Sequence, residues 1–328
     1  MGMTVRALYE FAIERGKALD PRGGDELVGQ MEAVRAEYDG LDEAARRRFD
    51  AERLTNPFGD TRIACGDEDT TVGRLICGID IDGTEVLLAD SLRRNGRPVE
   101  LVLAHHASAI GGGLGSRLET IWPQVKMLTD FGVPAHTAHK LVRPSSEGDQ
   151  RSHNVKVTQM AEALGMPLMT IHSPADAYLF QEGARVLQED RPETVGDLVD
   201  ICDSWPEVSW LIGRGKGTEV AVGDKRDPLG RTYHAFYGGW NPTPQVFEAL
   251  CDAGCGTLWV LATSEELNQV ARDRNVSVVV VPHYPADNLG LNMLLDDAMD
   301  RFGAFEVVDT SNFHRHDRRG GAAGAAGG

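Results

Sequence analysis

Several short apolar runs in this chain are continuous rather than alternating, and three of them end in histidine. Glu100-Leu-Val-Leu-Ala runs into His105-His106, and Val276-Ser-Val-Val-Val-Val-Pro runs into His283, with Asp287 four residues on. Pro167-Leu-Met-Thr-Ile171 ends in His172, followed by Ser-Pro-Ala-Asp176. Runs of this length, rich in Val and Leu, read as strands buried on both faces of a parallel sheet. In open α/β sheets the working crevice lies beyond the carboxyl ends of the strands. The pattern predicts an α/β protein with a metal site assembled at those ends.

The other elements follow from periodicity and punctuation. Residues 1–55, rich in Glu, Arg, Ala and Leu, predict amphipathic helices broken at Asp20-Pro-Arg-Gly-Gly24, a packing or assembly element without chemistry of its own. A first α/β lobe is expected over 56–185. It has strands at Val72–Asp80, Thr84–Ala89 (a hairpin through Asp82-Gly83), Leu101–Ala104 and Pro167–Ile171, and helices at about Ser116–Phe131 and Asn154–Leu164. A second lobe is expected over 186–310. It has a helix capped by Thr194, strands near Trp210 and at Glu219–Val222, Tyr233–Tyr237, Leu258–Ala262 and Val276–Val281, and helices from Trp240 and near Glu265–Arg274. Its order of elements echoes the first lobe, as an internal duplication would. Residues 311–328, ending in Gly and Ala, are expected to be a tail.

Charge and cysteine usage narrow the function. A net charge of −17 argues against a nucleic-acid binder that relies on phosphate attraction. No apolar run approaches the roughly 20 residues that span a bilayer. The first twenty residues lack the apolar stretch of a signal peptide. Five cysteines, an odd number without a CxxC pair, fit reduced thiols and a cytoplasmic protein rather than a disulfide framework or zinc ribbon.

His105 and His106, His283 and Asp287 are the first candidates for metal ligands. Imidazole and carboxylate suit Zn, Fe, Mn, Co or Ni, one or two ions per chain. His136, His139 and Asp176 are further candidate ligands, and His153 and His172 are candidates to move protons. Gly111–Gly115 lacks the Lys-Ser/Thr of a phosphate loop. Gly238-Gly239, ahead of an expected helix start, is a candidate anion site.

These residues resemble the Nif-three-like dinuclear-metal proteins, also catalogued as type 2 homologues of GTP cyclohydrolase I. The resemblance rests on Leu103-Ala-His105-His106 and Val281-Pro-His283-Tyr-Pro-Ala-Asp287-Asn-Leu-Gly290, and covers residues 56–300. It implies that His105, His106, His283 and Asp287 hold two metal ions, with Asp where the family usually has Glu. The family's middle carboxylate falls in a His-x-x-x-Asp context. Here His136-Thr-Ala-His-Lys140 has Lys at that position, which leaves His139, Glu147 or Asp149 to substitute. Asn56-Pro-Phe-Gly-Asp-Thr-Arg62, Gly78-Ile-Asp-Ile81 and Ile171–Asp176 look like motifs of a subgroup. The resemblance also implies a toroidal homohexamer. The function expected is a metal-dependent hydrolase of a small polar or nucleotide-like substrate, with no nucleic-acid or membrane partner. The alternatives are a non-enzymatic metal-binding scaffold or metal-delivery protein, and an oligomeric structural protein.

Overall fold

The computed structural model describes residues 2–106, 122–149 and 155–319, without the side chains of 144–149. Nine strands form two sheets among these residues: β1 (Arg62–Cys65), β2 (Arg74–Gly78), β3 (Leu101–Ala104), β4 (Leu168–Thr170), β5 (Glu219–Val222), β6 (Thr232–His234), β7 (Thr257–Val260), β8 (Ser277–Val280) and β9 (Glu306–Asp309). The first sheet has the order β1-β4-β3-β2-β9 and the second β5-β8-β7-β6. In each, an antiparallel edge strand precedes a parallel run, of four strands in the first sheet and three in the second. Numbered within its own half, each sheet runs first, fourth, third, second, and β9 extends the first sheet beyond its second strand. The echo read from the sequence is therefore a repeated topology.

Continuous apolar strands follow from this burial. One face of the first sheet packs Leu75, Leu103 and Met169 against Leu291, Leu294 and Leu295 of the long helix His283–Phe302. Its other face packs Ile76, Val102 and Leu168 against Val86 and Ala89 of helix Gly83–Arg94. In the second sheet, Leu258, Val260 and Val278 face Val246, Phe247 and Leu250 of helix Pro244–Asp252. Trp259 and Val279 face Leu198, Val199 and Leu289. The helix following β4, Ser173–Arg185, and its counterpart following β8, His283–Phe302, pack directly on each other. Gly290 permits the approach, since a Cβ there would lie 2.4 Å from the Ala175 carbonyl oxygen.

Several expectations are corrected. Thr84–Ala89 is helical: Asp82 caps helix Gly83–Arg94 by accepting from the Thr84 N–H, and Glu85 accepts from the Asp82 N–H in return. Asp-Gly here is a capping box, not a hairpin turn. Trp210 lies in helix Pro206–Ile212, started by proline at its first turn, rather than in a strand. β9, expected in the second lobe, crosses back to pair in parallel with β2. Residues 311–319 are not a loose tail: Phe313 is buried, and Arg315 and Arg318 are paired with Asp296 and Glu207. The N-terminal helices Val5–Leu19 and Gly24–Gly40 form as expected, and Val5 and Leu8 join the core of the first sheet.

Candidate metal centre

Three adjacent parallel strands of the first sheet end side by side, and each delivers polar side chains just past its last residue. β2 leads to Asp80, β3 to His105-His106 and β4 to His172. From the second sheet, β8 leads through Val281-Pro282 to His283, the first residue of the long helix, which brings Asp287 one turn in. Helix Ser173–Arg185 does the same for Asp176. His172-Ser-Pro-Ala-Asp176 and His283-Tyr-Pro-Ala-Asp287 are one motif used twice, at equivalent points of the repeated topology. In both, proline near the helix start fixes the first turn, and His and Asp four apart fall on one side of it.

The imidazoles are oriented by their outer nitrogens. His105 Nδ1 lies 3.0 Å from the Ile171 carbonyl oxygen. A carbonyl only accepts, so Nδ1 carries the proton and Nε2 keeps its lone pair. His106 Nδ1 donates to Asp80 at 2.7 Å, and His172 Nδ1 donates to Asp60 at 2.8 Å. Metal-ligating histidines are held in this way by a carbonyl or carboxylate on the far nitrogen. The inner nitrogens converge on two buried carboxylates. His105 Nε2 is 3.4 Å from Asp176 Oδ1 and 3.9 Å from Asp287 Oδ1. His106 Nε2 and His283 Nε2 are each 3.3 Å from Asp287 Oδ2. Asp287 thus turns one oxygen towards His105 and the other towards the His106–His283 pair.

Both the Nε2 of His105 and the Oδ2 of Asp287 are buried without a hydrogen-bond partner. Buried polar atoms left unpaired are costly, and cations beside them would remove the cost. Among the described residues, three overlapping groups could hold an ion: His105, Asp176 and Asp287; His106, His283 and Asp287; and His105, His106 and His172. They contain nitrogen and oxygen donors and no thiolate, a donor set that suits Zn, Fe, Mn, Co or Ni. An ion of this class therefore fits the residues present.

The electrostatics point the same way. Burial pushes the His172 proton off, but the charges of Asp176 and Asp60 more than offset this and lift its pKa to about 9. Burial would raise Asp176, yet His172 and His105 hold it down to about 2. His106 is raised, because the Asp287 carboxylate outweighs the effect of burial. Carboxylates stay ionised here and draw positive charge inward.

Of the residues singled out from the sequence, His105, His106, His172, Asp176, His283 and Asp287 come together. His139 does not. It is exposed on helix Ala135–Asp149 with its ring against Trp122, and His136 is exposed beside it. The side chains of Glu147 and Asp149 lie outside those described, as do His153 and the Gly111–Gly115 loop. Gly238 and Gly239 do not open a helix, which starts at Pro244 with Thr243 as its cap. The Gly239 N–H instead donates to Asp176 Oδ2 at 3.1 Å. Gly239 sits at φ +60°, and a Cβ there would come within 3.2 Å of His172 Nε2. Asp60 and Asp80 were not picked out as individual residues, although both fall within the subgroup motifs. The stronger overlooked signal was the repeated His-x-Pro-Ala-Asp.

No protein-family model and no curated protein matches the chain. Among solved structures, a NIF3 superfamily protein from Sphaerobacter thermophilus matches with a TM-score of 0.67 at 26% identity, covering 78% of this chain and 92% of that one. A Bacillus cereus protein related to NIF3 matches at TM-score 0.42 and 10% identity, covering 78% and 92%. TTHA1606 from Thermus thermophilus matches at 0.42 and 12%, covering 76% and 86%. The Sphaerobacter protein is matched over nearly its whole length by a chain whose strand ends carry the histidine pair and the late His-x-x-x-Asp, and in fold this chain is similar to that NIF3 superfamily protein.

Proposed function

We propose that this protein is a dinuclear metal-dependent hydrolase acting on a small polar or nucleotide-like substrate. One ion would be held by His105, Asp176 and Asp287, the other by His106, His283 and Asp287. The observation that carries the reading is the convergence of oriented Nε2 atoms on two buried carboxylates, with His105 Nε2 and Asp287 Oδ2 left unpartnered. Ions in such a pair supply Lewis acidity and lower the pKa of water. The chain's own residues do the rest. Asp80 and the Ile171 carbonyl fix the tautomers of His106 and His105. His172, pinned by Asp60, holds a proton on the side of Asp176. His283 and His106 are only partly buried and mark the open side by which substrate enters.

The test uses tag-free protein, stripped with EDTA and reloaded with a single transition metal, against a panel of phosphate esters and cyclic amidines. Hydrolysis by the loaded protein, its loss on stripping, and a drop in kcat/KM of at least about 100-fold in Asp287→Ala would support the reading. Full metal loading without turnover on any member would replace it with the metal-binding scaffold or delivery reading. We further propose a homo-oligomer in the cytoplasm, the first from the family resemblance and the second from five free cysteines. A light-scattering mass of 35.6 kDa at micromolar concentration would remove the oligomer.

A further inference from the structure

The N-terminal helix Val5–Leu19 ends in a buried charge. Asp20, which follows it, and Arg22 are only 5% and 4% exposed. Arg22 holds both carboxylate oxygens of Asp20, through Nε and Nη2 at 2.7 Å each, and its backbone N–H donates to Oδ1 at 2.8 Å. A third partner comes from the other end of the chain. The Tyr237 hydroxyl donates to Asp20 Oδ2 at 2.7 Å, across 217 positions of sequence. Burial and the Asp20 charge push the Tyr237 pKa well up, so the phenol stays a donor. A buried ion pair adds little net stability, because desolvating both charges costs about what their attraction returns. What this one fixes is geometry.

Tyr237 lies three residues beyond β6 and is held at both ends, since its carbonyl accepts from the buried Gln124 Nε2 at 2.6 Å. The chain then passes through Gly238 and Gly239 at φ 72° and 60°, a conformation open to glycine. This turn places the Gly239 N–H on Asp176 Oδ2. The other oxygen of that carboxylate, Oδ1, is the one that faces His105 Nε2. The rotation of Asp176 is thus set from its far oxygen. The same N-terminal helix also touches both helices that carry the candidate carboxylates. A Cβ at Gly16 would lie 3.0 Å from Pro174 Cβ, and Arg15 reaches Tyr178 at 2.8 Å and Asp297 at 2.6 Å.

We infer that Asp20 and Tyr237 are positioning residues for the metal centre. Asp20 anchors the Tyr237–Gly239 turn, and the turn fixes the Asp176 carboxylate for the ion it shares with His105 and Asp287. The N-terminal segment therefore acts on the site without supplying a ligand. The inference rests on the metal centre of the proposed function and not on hydrolysis.

The test titrates the metal-free full chain with Co(II) and follows the visible absorption of the bound ion. The unsubstituted protein is expected to fill two sites. Tyr237→Phe removes one oxygen. It should weaken one site about tenfold, the lower end of what losing an outer partner of a ligand costs, and shift that ion's absorption. The site of His106, His283 and Asp287 should keep its affinity. Asp20→Leu with Arg22→Met removes both charges together and leaves no unpaired ion, which preserves the fold. It should weaken the same site, and adding Tyr237→Phe to it should weaken that site no further. If Tyr237→Phe folds poorly, the charge-free pair carries the test. A purely structural role would lower the urea midpoint and leave both affinities and both spectra unchanged. That result overturns the inference while the metal centre stands, and so does equal weakening of both sites. Failure of the unsubstituted protein to bind cobalt removes the metal centre, and the inference with it.

Discussion

His172 shows how one residue ties charge, fold and metal together. Its pKa is raised from 6.5 to about 9, so in the metal-free protein the ion pair with Asp60 and Asp176 stabilises the fold fully below pH 6.5 and is lost as pH rises through about 9. Asp176 is lowered from 3.8 to about 2, so its contribution is present above pH 3.8 and lost as pH falls through about 2. The two shifts share one attraction and are not additive. The metal-free protein should be most stable between pH 3.8 and 6.5, and its Tm should fall from pH 6 to pH 9. Metal-loaded protein should behave oppositely at mildly acidic pH, because imidazolium cannot bind an ion and protons compete with it. Scanning calorimetry of stripped and loaded protein checks both. A stripped-protein Tm that climbs from pH 6 to pH 9 would contradict the His172 assignment. At this scale the histidines at strand ends were legible, because a buried strand has few places to put an imidazole except past its end. Asp176 is only one candidate among several, and the Lys140 position directs attention to His139, which lies exposed on another helix. Neighbours along the chain mattered less than equivalence between the halves.

Elements that turn on a single residue were harder to read. Asp82-Gly83 fits a hairpin turn and a helix cap equally well. Glu85, three residues after the cap, decides it by closing the capping box, and that signal was present in the sequence. β9 was unreadable as a partner of β2, since nothing local tells a strand which sheet to join. The contact between helices Ser173–Arg185 and His283–Phe302 matters most for the site, because it sets the separation of Asp176 and Asp287. Gly290→Ala would push a Cβ into the Ala175 carbonyl, a backbone atom that cannot swing away. Overpacking of this kind costs about 1–3 kcal/mol, and the helix-propensity gain of Ala over Gly, about 1 kcal/mol, offsets part of it. A lower urea midpoint together with weaker metal binding is expected. A midpoint at or above that of the unsubstituted protein would show that the helices can shift without loss.

Taken whole, the molecule repeats one strand order in two sheets and gathers its candidate donors at one of them. Each half supplies a strand followed by His-x-Pro-Ala-Asp, but only the first also supplies the histidine pair, where the second has Leu261-Ala-Thr263-Ser264. The donors therefore gather at one set of strand ends, and the second half reaches them with His283 and Asp287. No described helix is long and apolar enough to cross a membrane. The most direct test of the account is the metal content of tag-free protein by elemental analysis, with Asp176→Asn and Asp287→Asn alongside. The account predicts about two transition-metal ions per chain, about one in Asp176→Asn and close to none in Asp287→Asn. Undiminished metal in Asp287→Asn would contradict it.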